Sequence, residues 1–491
     1  MIMSLLVKIK DNKFLAFVYL VLGVIITFSI FYEQMPDYLM LNPPFDGANY
    51  AQWTKNFDEM FFGKQISQYH IQRVFIAFIA WSFAQLTNLS ITNSYIIHFF
   101  IVFNIICILI SVIYLNLILN FFNIKQNIKA FAVILTFFNF ALLKYPFYYP
   151  VLNDTAALAI AFPMSYYYLK NKIGAFILCT LIGCFTFPSF IYIAIILLFF
   201  PYNSVQNFPQ YQNNKILLKL GTVALILSLI VFQVYFFVYK GIRFEEINNG
   251  WLSNFYIATY IPAFLVVIFY FSYIILTYSI NDNFLLSSKN EIKLKNVFIA
   301  ILLFISLKIL INIFAGKETG MTIMTHIKIL NLSILSQPFK FFVSHSIYYG
   351  LLIMLIPFYF IAFRNKIVSL GYGYFFVILF FLLYSVNSES RQFINFIPFL
   401  ILPIALVFNE YNINSKTLLI FLFINIVISR FWYYINITTP IENNLTEFPL
   451  QRYFMFQGPW MGDWGFMINA LIVICCILFL FLLRTRLISK Q

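Results

Sequence analysis

Unbroken apolar runs, rather than alternation, set the pattern of this chain. Residues 14–31, 95–119, 220–238 and 467–483 are each long and apolar enough to cross roughly 30 Å of hydrocarbon at about 1.5 Å per residue. The same pattern predicts helical spans near 14–32, 95–119, 130–146, 150–169, 220–239, 253–279, 297–315, 341–362, 367–386, 392–409, 417–435 and 466–483. The run 174–200 is interrupted by Pro188 and reads as two short half-spans or a re-entrant pair, because a single crossing there would invert every later loop. The longest polar interruptions are 33–72, 315–340 and 436–465. The expected fold class is all-α: a polytopic transmembrane helix bundle with about 12–14 membrane crossings, forming one integral membrane domain over 1–491.

Composition sharpens this. With 62% hydrophobic and 10% charged residues, the chain is not an ordinary soluble globular protein. Lys8, Lys10 and Lys13 precede the first apolar run as in a signal peptide. That run is about 18 residues long and lacks a small-x-small cleavage site, so a retained first helix is expected. Cys107, Cys179, Cys184, Cys475 and Cys476 all fall inside apolar runs, as small core residues do, and imply no disulfide framework.

The net charge of +14 would point to nucleic acid if it were spread evenly, and it is not. With the chain folded over at Pro188, one face carries segments 1–13, 120–129, 170–172, 215–219, 280–296, 364–366, 410–416 and 484–491. These hold 18 Lys/Arg against 4 Asp/Glu, and everything else holds 13 of each. The positive-inside rule makes the basic face cytoplasmic, with both termini inside, and removes nucleic acid from the expected partners. Asp46, Asp58, Glu59, His70, Arg73, Asp154, Glu389, Arg391, Arg452 and Asp463 then share the extracytoplasmic face. Its main segments are a first outer loop, 33–94, and late loops at 316–340, 387–391 and 436–465.

Within the first outer loop, 33–73 carries five acids, three bases and one His. Asp46, in Asn42-Pro43-Pro44-Phe45-Asp46-Gly47, either opens a turn before Gly47 or supplies a carboxylate for chemistry. His70 and Arg73 stand three apart and share a face on a helix, where an arginine can hold a phosphate with paired hydrogen bonds or snorkel to lipid headgroups. In Ser385-Val386-Asn387-Ser388-Glu389-Ser390-Arg391-Gln392, Glu389 and Arg391 either neutralise each other in an exposed turn or present Arg391 to an anionic group at a helix mouth. Pro150 and Asp154 mark a helix start, with Asp154 as an N-cap or as a second ligand for metal or acceptor. Lys240, Arg243, Glu245 and Glu246 form a balanced loop that reads as solvated. Lys308 lies inside an apolar span. Arg452, in the segment that ends at Trp460 and Trp464, belongs to a loop able to cover a substrate. No P-loop, dinucleotide fingerprint, HExxH or paired CxxC occurs, and the four His are too scattered for a zinc site.

Asp46-Gly47-x-x-Tyr50, then His70-x-x-Arg73, then Glu389-Ser390-Arg391 before an apolar helix, resemble short motifs of bacterial GT-C-class integral membrane glycosyltransferases. The resemblance covers roughly residues 1–100 and 385–405, and departs from the family in having Gly47 rather than a second acid beside Asp46. It implies a GT-C-like bundle and a polyprenyl-phosphate sugar as donor. The acceptor would be a glycan or lipid of the envelope. Asp46 would be the catalytic base or the ligand of a divalent cation (Mg or Mn). Arg391 and Arg73 would hold phosphate, with His70, Asp154, Glu389 and Arg452 completing the substrate site. Rival classes are a transporter or flippase of a lipid-linked glycan and a non-catalytic membrane scaffold.

The charge map has a direct test. Cysteines introduced at Lys55, Glu389 and Glu442 are expected to react with an impermeant thiol reagent in intact cells, and those at Lys293 and Lys366 are not. The reverse labelling pattern would overturn the topology.

Overall fold

A computed structural model describes residues 13–43, 45–202, 216–235, 257–278, 288–316, 331, 334–436 and 461–488. Among the described residues there are helices and no strands. The helices that matter for the site are α1 (Lys13–Tyr32), α2 (Asp46–Lys55), α3 (Phe75–Thr87), α4 (Asn93–Phe121), α5 (Gln126–Phe137) and α6 (Asp154–Leu169). They continue with α7 (Ile173–Cys184), α8 (Phe190–Phe199), α9 (Leu294–Phe314), α10 (Lys340–Tyr349), α11 (Ile397–Phe408) and α12 (Ser415–Ser429).

Among the described residues, six helices are long and apolar enough to cross a membrane, or up to eight if each of two bent pairs is one span. Six further apolar helices among the described residues are shorter, at 10–17 residues. The run predicted at 130–146 stops at Phe137, and the chain resumes as Phe140–Tyr148 after a bend of 74°. The run at 341–362 breaks at Gly350, whose φ of +64° suits glycine, and bends by 95° between Leu351–Phe358 and Phe360–Ser369. The run interrupted by Pro188 does form two shorter helices, α7 and α8, which pack against each other. Lipid-sized side chains cover the outside: Leu20, Val24 and Phe31 on α1 and Leu294 and Phe298 on α9 are all exposed. Such faces are a liability in water and a requirement in lipid, as a multi-pass membrane protein needs.

The centre of the bundle is α6. It is buried on nearly every side, and it packs against α4, α7, α11 and the 3-10 turn Ser390–Phe396. Ala156, Ala157, Ala159 and Ala161 let neighbouring backbones approach closely, as small residues do between membrane helices. α5 is also largely enclosed and sits among α1, α11 and α12. Lys308, inside α9, lies 5.8 Å from the centre of the Phe304 ring.

A buried ion pair stitches one end of this bundle. Glu33, just past α1, accepts from Lys144 Nζ at 2.5 Å, and both side chains are almost inaccessible. Its two carboxylate oxygens also accept from Ile435 N at 2.8 and 2.9 Å, and Lys144 donates to the Tyr433 carbonyl at 3.1 Å. One carboxylate and one ammonium thus tie together three distant stretches of chain. Buried charges are tolerable only when paired in this way. Lys144→Met alone is expected to destabilise the protein by about 3–5 kcal/mol, because it leaves Glu33 charged and unpaired. Adding Glu33→Gln is expected to restore part of that loss in a denaturant titration of the purified protein. A double variant as unstable as the sum of the single variants would show that the pair is not coupled.

Candidate functional site

Four segments converge at the start of α6. Asp46 occupies the first turn of α2, after Phe45 in an extended conformation. Its neighbour can only be glycine. A Cβ on Gly47 would lie 2.3 Å from the Met40 carbonyl and 3.0 Å from the Tyr149 ring, and the Gly47 N–H donates to the Tyr149 hydroxyl at 2.6 Å. The missing second acid therefore has a steric cause: no side chain fits beside Asp46.

His70 and Arg73 fall in a 3-10 helix, His70–Arg73, in which residues three apart eclipse one another. This turn is docked from behind. Asn153 Nδ2 donates to the Arg73 carbonyl at 2.5 Å, and Phe75 N donates to the Phe185 carbonyl at 2.9 Å. The Arg73 guanidinium is buried. It donates through Nη2 to the Tyr69 hydroxyl and lies 4.5 Å from the Tyr69 ring centre and 5.2 Å from that of Phe187. Its Nε has no hydrogen-bond partner.

Asp154 is the first residue of α6, and Asn153 holds the cap position. The Asp154 carboxylate therefore does not cap its own helix. Its Oδ1 faces Arg391 Nε at 3.3 Å, and the buried Oδ2 is left without a partner. Arg391 donates through Nη2 to Asp46 Oδ2 at 3.0 Å and so bridges the two carboxylates. Glu389 does not neutralise Arg391; it accepts from Gln392 Nε2 instead. The turn that carries Arg391 is gripped from inside the bundle. His345 on α10 contacts Ser390 Oγ through Nδ1 at 2.9 Å and the Ser385 carbonyl through Nε2 at 2.8 Å. The Tyr349 hydroxyl donates to the Ser390 carbonyl at 2.6 Å.

Exposure divides the trio. The Arg391 and Asp154 side chains are 7% and 5% accessible, whereas Asp46 is 40% accessible. Asp46 is thus the open rim of a closed ion cluster. Burial alone would raise its pKa, but for a side chain this open the Arg391 and Arg73 charges and the Arg391 hydrogen bond outweigh it. They bring the carboxyl below its usual 3.8. Glu389 moves the other way. Burial pushes it above the usual value, and the Asp46 and Asp154 charges add to burial while Arg391 and Arg73 oppose it. Burial, reinforced by the Arg73 charge and partly offset by Asp46, holds His70 below its usual value, so its imidazole is neutral near pH 7. Its Nδ1 is 3.0 Å from Ser67 Oγ.

Asp46, Asp154 and Arg391 therefore meet directly, and His70, Arg73 and Glu389 stand in the turns around them. Arg452 falls outside the described residues, as do the loop from Lys240 to Glu246 and Trp460. The surroundings do not fit a resident divalent cation. Asp46 and Asp154 already face a guanidinium, and among the described residues no three His, Cys, Asp or Glu groups converge as metal ligands. Sequence reasoning passed over Tyr149, which locks Gly47, and His345, which holds Ser390. A lone His in an apolar run carries only a weak signal, and its partner stands 45 residues away.

Compared with family models, with curated proteins and with solved structures, the chain matches none.

Proposed function

We propose that this protein is a membrane transferase that moves a sugar from a polyprenyl-phosphate donor to a hydroxyl acceptor on the extracytoplasmic face. The observation that carries the reading is an ionised carboxylate, Asp46, at the open edge of a buried ion cluster with Arg391 and Asp154. Nothing in a purely structural ion cluster requires one carboxylate to stay open to the surroundings. The basic excess on the opposite face supports the orientation.

In the proposed reaction the acceptor oxygen forms a bond to the anomeric carbon of the donor. The bond from that carbon to the phosphate oxygen breaks, and its electron pair leaves on the phosphate. The hydroxyl proton passes to Asp46. A carboxylate with a lowered pKa is a weak base, so proton transfer comes late, once the attacking oxygen is already bonding and its proton is acidic. Until then Asp46 orients the hydroxyl by accepting its hydrogen bond. Negative charge growing on the phosphate is met by fixed positive charge in a site partly closed to water, where such stabilisation is strongest.

Asp46→Asn preserves size and keeps an acceptor for Arg391 while removing the charge. Transfer is expected to fall by about 10² or more, in the range of general-base loss, when proteoliposomes are supplied with a panel of polyprenyl-phosphate sugars. Retention of donor lipid is expected to persist. Unchanged product formation would leave Asp46 as the opening residue of a helix and nothing more.

A further inference from the structure

Between α7 and α8 the chain makes a hairpin whose tip, residues 185–189, reaches the start of α6. The two helices have 12 and 10 residues. At about 1.5 Å per residue each is much shorter than the roughly 30 Å hydrocarbon layer. The hairpin leaves and returns at one level. Asn171 Nδ2, just before α7, donates to the Tyr202 carbonyl at 3.4 Å, and the Tyr168 hydroxyl donates to the Phe200 carbonyl at 2.7 Å. At the other end the turn is tight. Thr186 N and Phe187 N both donate to the Gly183 carbonyl, at 2.9 and 2.8 Å, and Pro188 has no N–H with which to continue the helix.

A helix that stops inside a bundle leaves its last carbonyls without intrahelical partners, which is costly away from water. Here the segments that build the site take up the carbonyls at the tip. The Phe185 carbonyl accepts from Phe75 N at 2.9 Å, two residues after Arg73. The Thr186 carbonyl accepts from Asn153 Nδ2 at 3.3 Å, and the same amide donates to the Arg73 carbonyl at 2.5 Å. Asn153 immediately precedes Asp154. The Phe187 ring centre lies 5.2 Å from the Arg73 guanidinium. Ser189 Oγ accepts from Asn395 Nδ2 at 2.8 Å, and Asn395 belongs to the 3-10 turn that carries Arg391. Four of five consecutive residues thus touch three segments that are far apart in the chain, and each of those segments delivers a charged residue to the site. Apolar packing can bring such segments together; hydrogen bonds, being directional, set their register. Asn153 and Asn395 are both buried, where a lost partner is costly.

We propose that the tip of the α7–α8 hairpin is the positioning element of the site, and that it sets the register of the Arg73, Asp154 and Arg391 segments through Asn153 and Asn395. Its effect on transfer deepens the transferase reading and rests on it, whereas the register does not depend on which reaction is catalysed. The tip touches no reacting group in this assignment and acts through the segments it holds. Removing one contact therefore loosens one segment and leaves the others in place, which a general loss of packing would not do.

The experiment uses the full chain in nanodiscs. Phenylglyoxal, which modifies accessible guanidinium groups, is followed at Arg391 and Arg73 by peptide mass spectrometry. Transfer is measured separately with a panel of polyprenyl-phosphate sugars. Both arginines are buried and are expected to react slowly in the wild-type protein. Ser189→Ala is expected to speed modification of Arg391 about tenfold and that of Arg73 by less than about threefold, the scale of one lost hydrogen bond. Asn153→Ala is expected to speed modification of Arg73 by about tenfold or more, since it removes two hydrogen bonds. Ser189→Thr, which keeps the hydroxyl, is expected to return Arg391 to within about threefold of wild type. In the transfer assay Ser189→Ala is expected to lower kcat about tenfold while KM stays within about threefold, as misplacement of reacting groups does. Asn395→Ala breaks the same contact from the other side and serves if Ser189→Ala does not fold. Equal acceleration of both arginines in each variant, or acceleration in neither, would overturn the positioning role. An unchanged kcat in Ser189→Ala despite faster modification of Arg391 would overturn its effect on transfer. Absence of wild-type transfer with every donor would overturn the transferase reading, while the modification pattern still decides the register.

Discussion

A guanidinium that is only 7% accessible cannot remain charged without partners, and Arg391 finds them 237 and 345 residues earlier in the chain. Taking such an ion out of water costs several kcal/mol, and removing one partner of a buried pair is more damaging than replacing both. That constraint fixes the relative positions of three structures. The start of α6 must present Asp154, the start of α2 must present Asp46, and the turn before α11 must deliver Arg391 between them. The grip of His345 and Tyr349 on Ser390, the residue beside Arg391, has a physical purpose in this light. It holds the turn so that the guanidinium reaches both carboxylates.

The same geometry explains a division between inside and edge. Asp154 and Arg391 are enclosed by the bundle, while Asp46 keeps much of its carboxylate open. A cluster optimised only for stability would close all three away or replace them with apolar side chains of similar volume. Arg73 is buried as well, with its Nε unpaired. Unsatisfied polar atoms in an otherwise tightly packed core are where ligand chemistry is expected. The Glu33–Lys144 pair makes a useful contrast. It is more deeply buried, its oxygens also accept backbone N–H groups, and it presents no open atom, so it is a staple rather than a site.

Much of this was legible in the sequence, for identifiable reasons. A chain with so few charges betrays its polar clusters, and Asp46, His70, Arg73, Asp154, Glu389 and Arg391 stand out against apolar surroundings. What could not be read was who pairs with whom. Glu389 is two residues from Arg391, yet the guanidinium reaches past it to Asp46 and Asp154, because pairing is settled by helix packing around α6. Where a single apolar run breaks into two helices was hidden for a related reason. Hydropathy sums residues along a run and does not register a left-handed glycine at Gly350 or a sharp bend near Asn139. Small residues in α6 mark a crowded centre only once its neighbours are known.

The central claim is that Arg391 couples Asp46 into the buried core, and a double-mutant cycle on stability addresses it most directly. Asp46→Asn, Arg391→Gln and the combined variant are compared with the wild-type protein in one unfolding assay. The structure predicts non-additivity of about 1 kcal/mol or more, because residues that share an ion-pair network do not act independently. Additivity within about 0.3–0.5 kcal/mol, the behaviour of distant sites, would mean that the two side chains do not meet and would contradict the account.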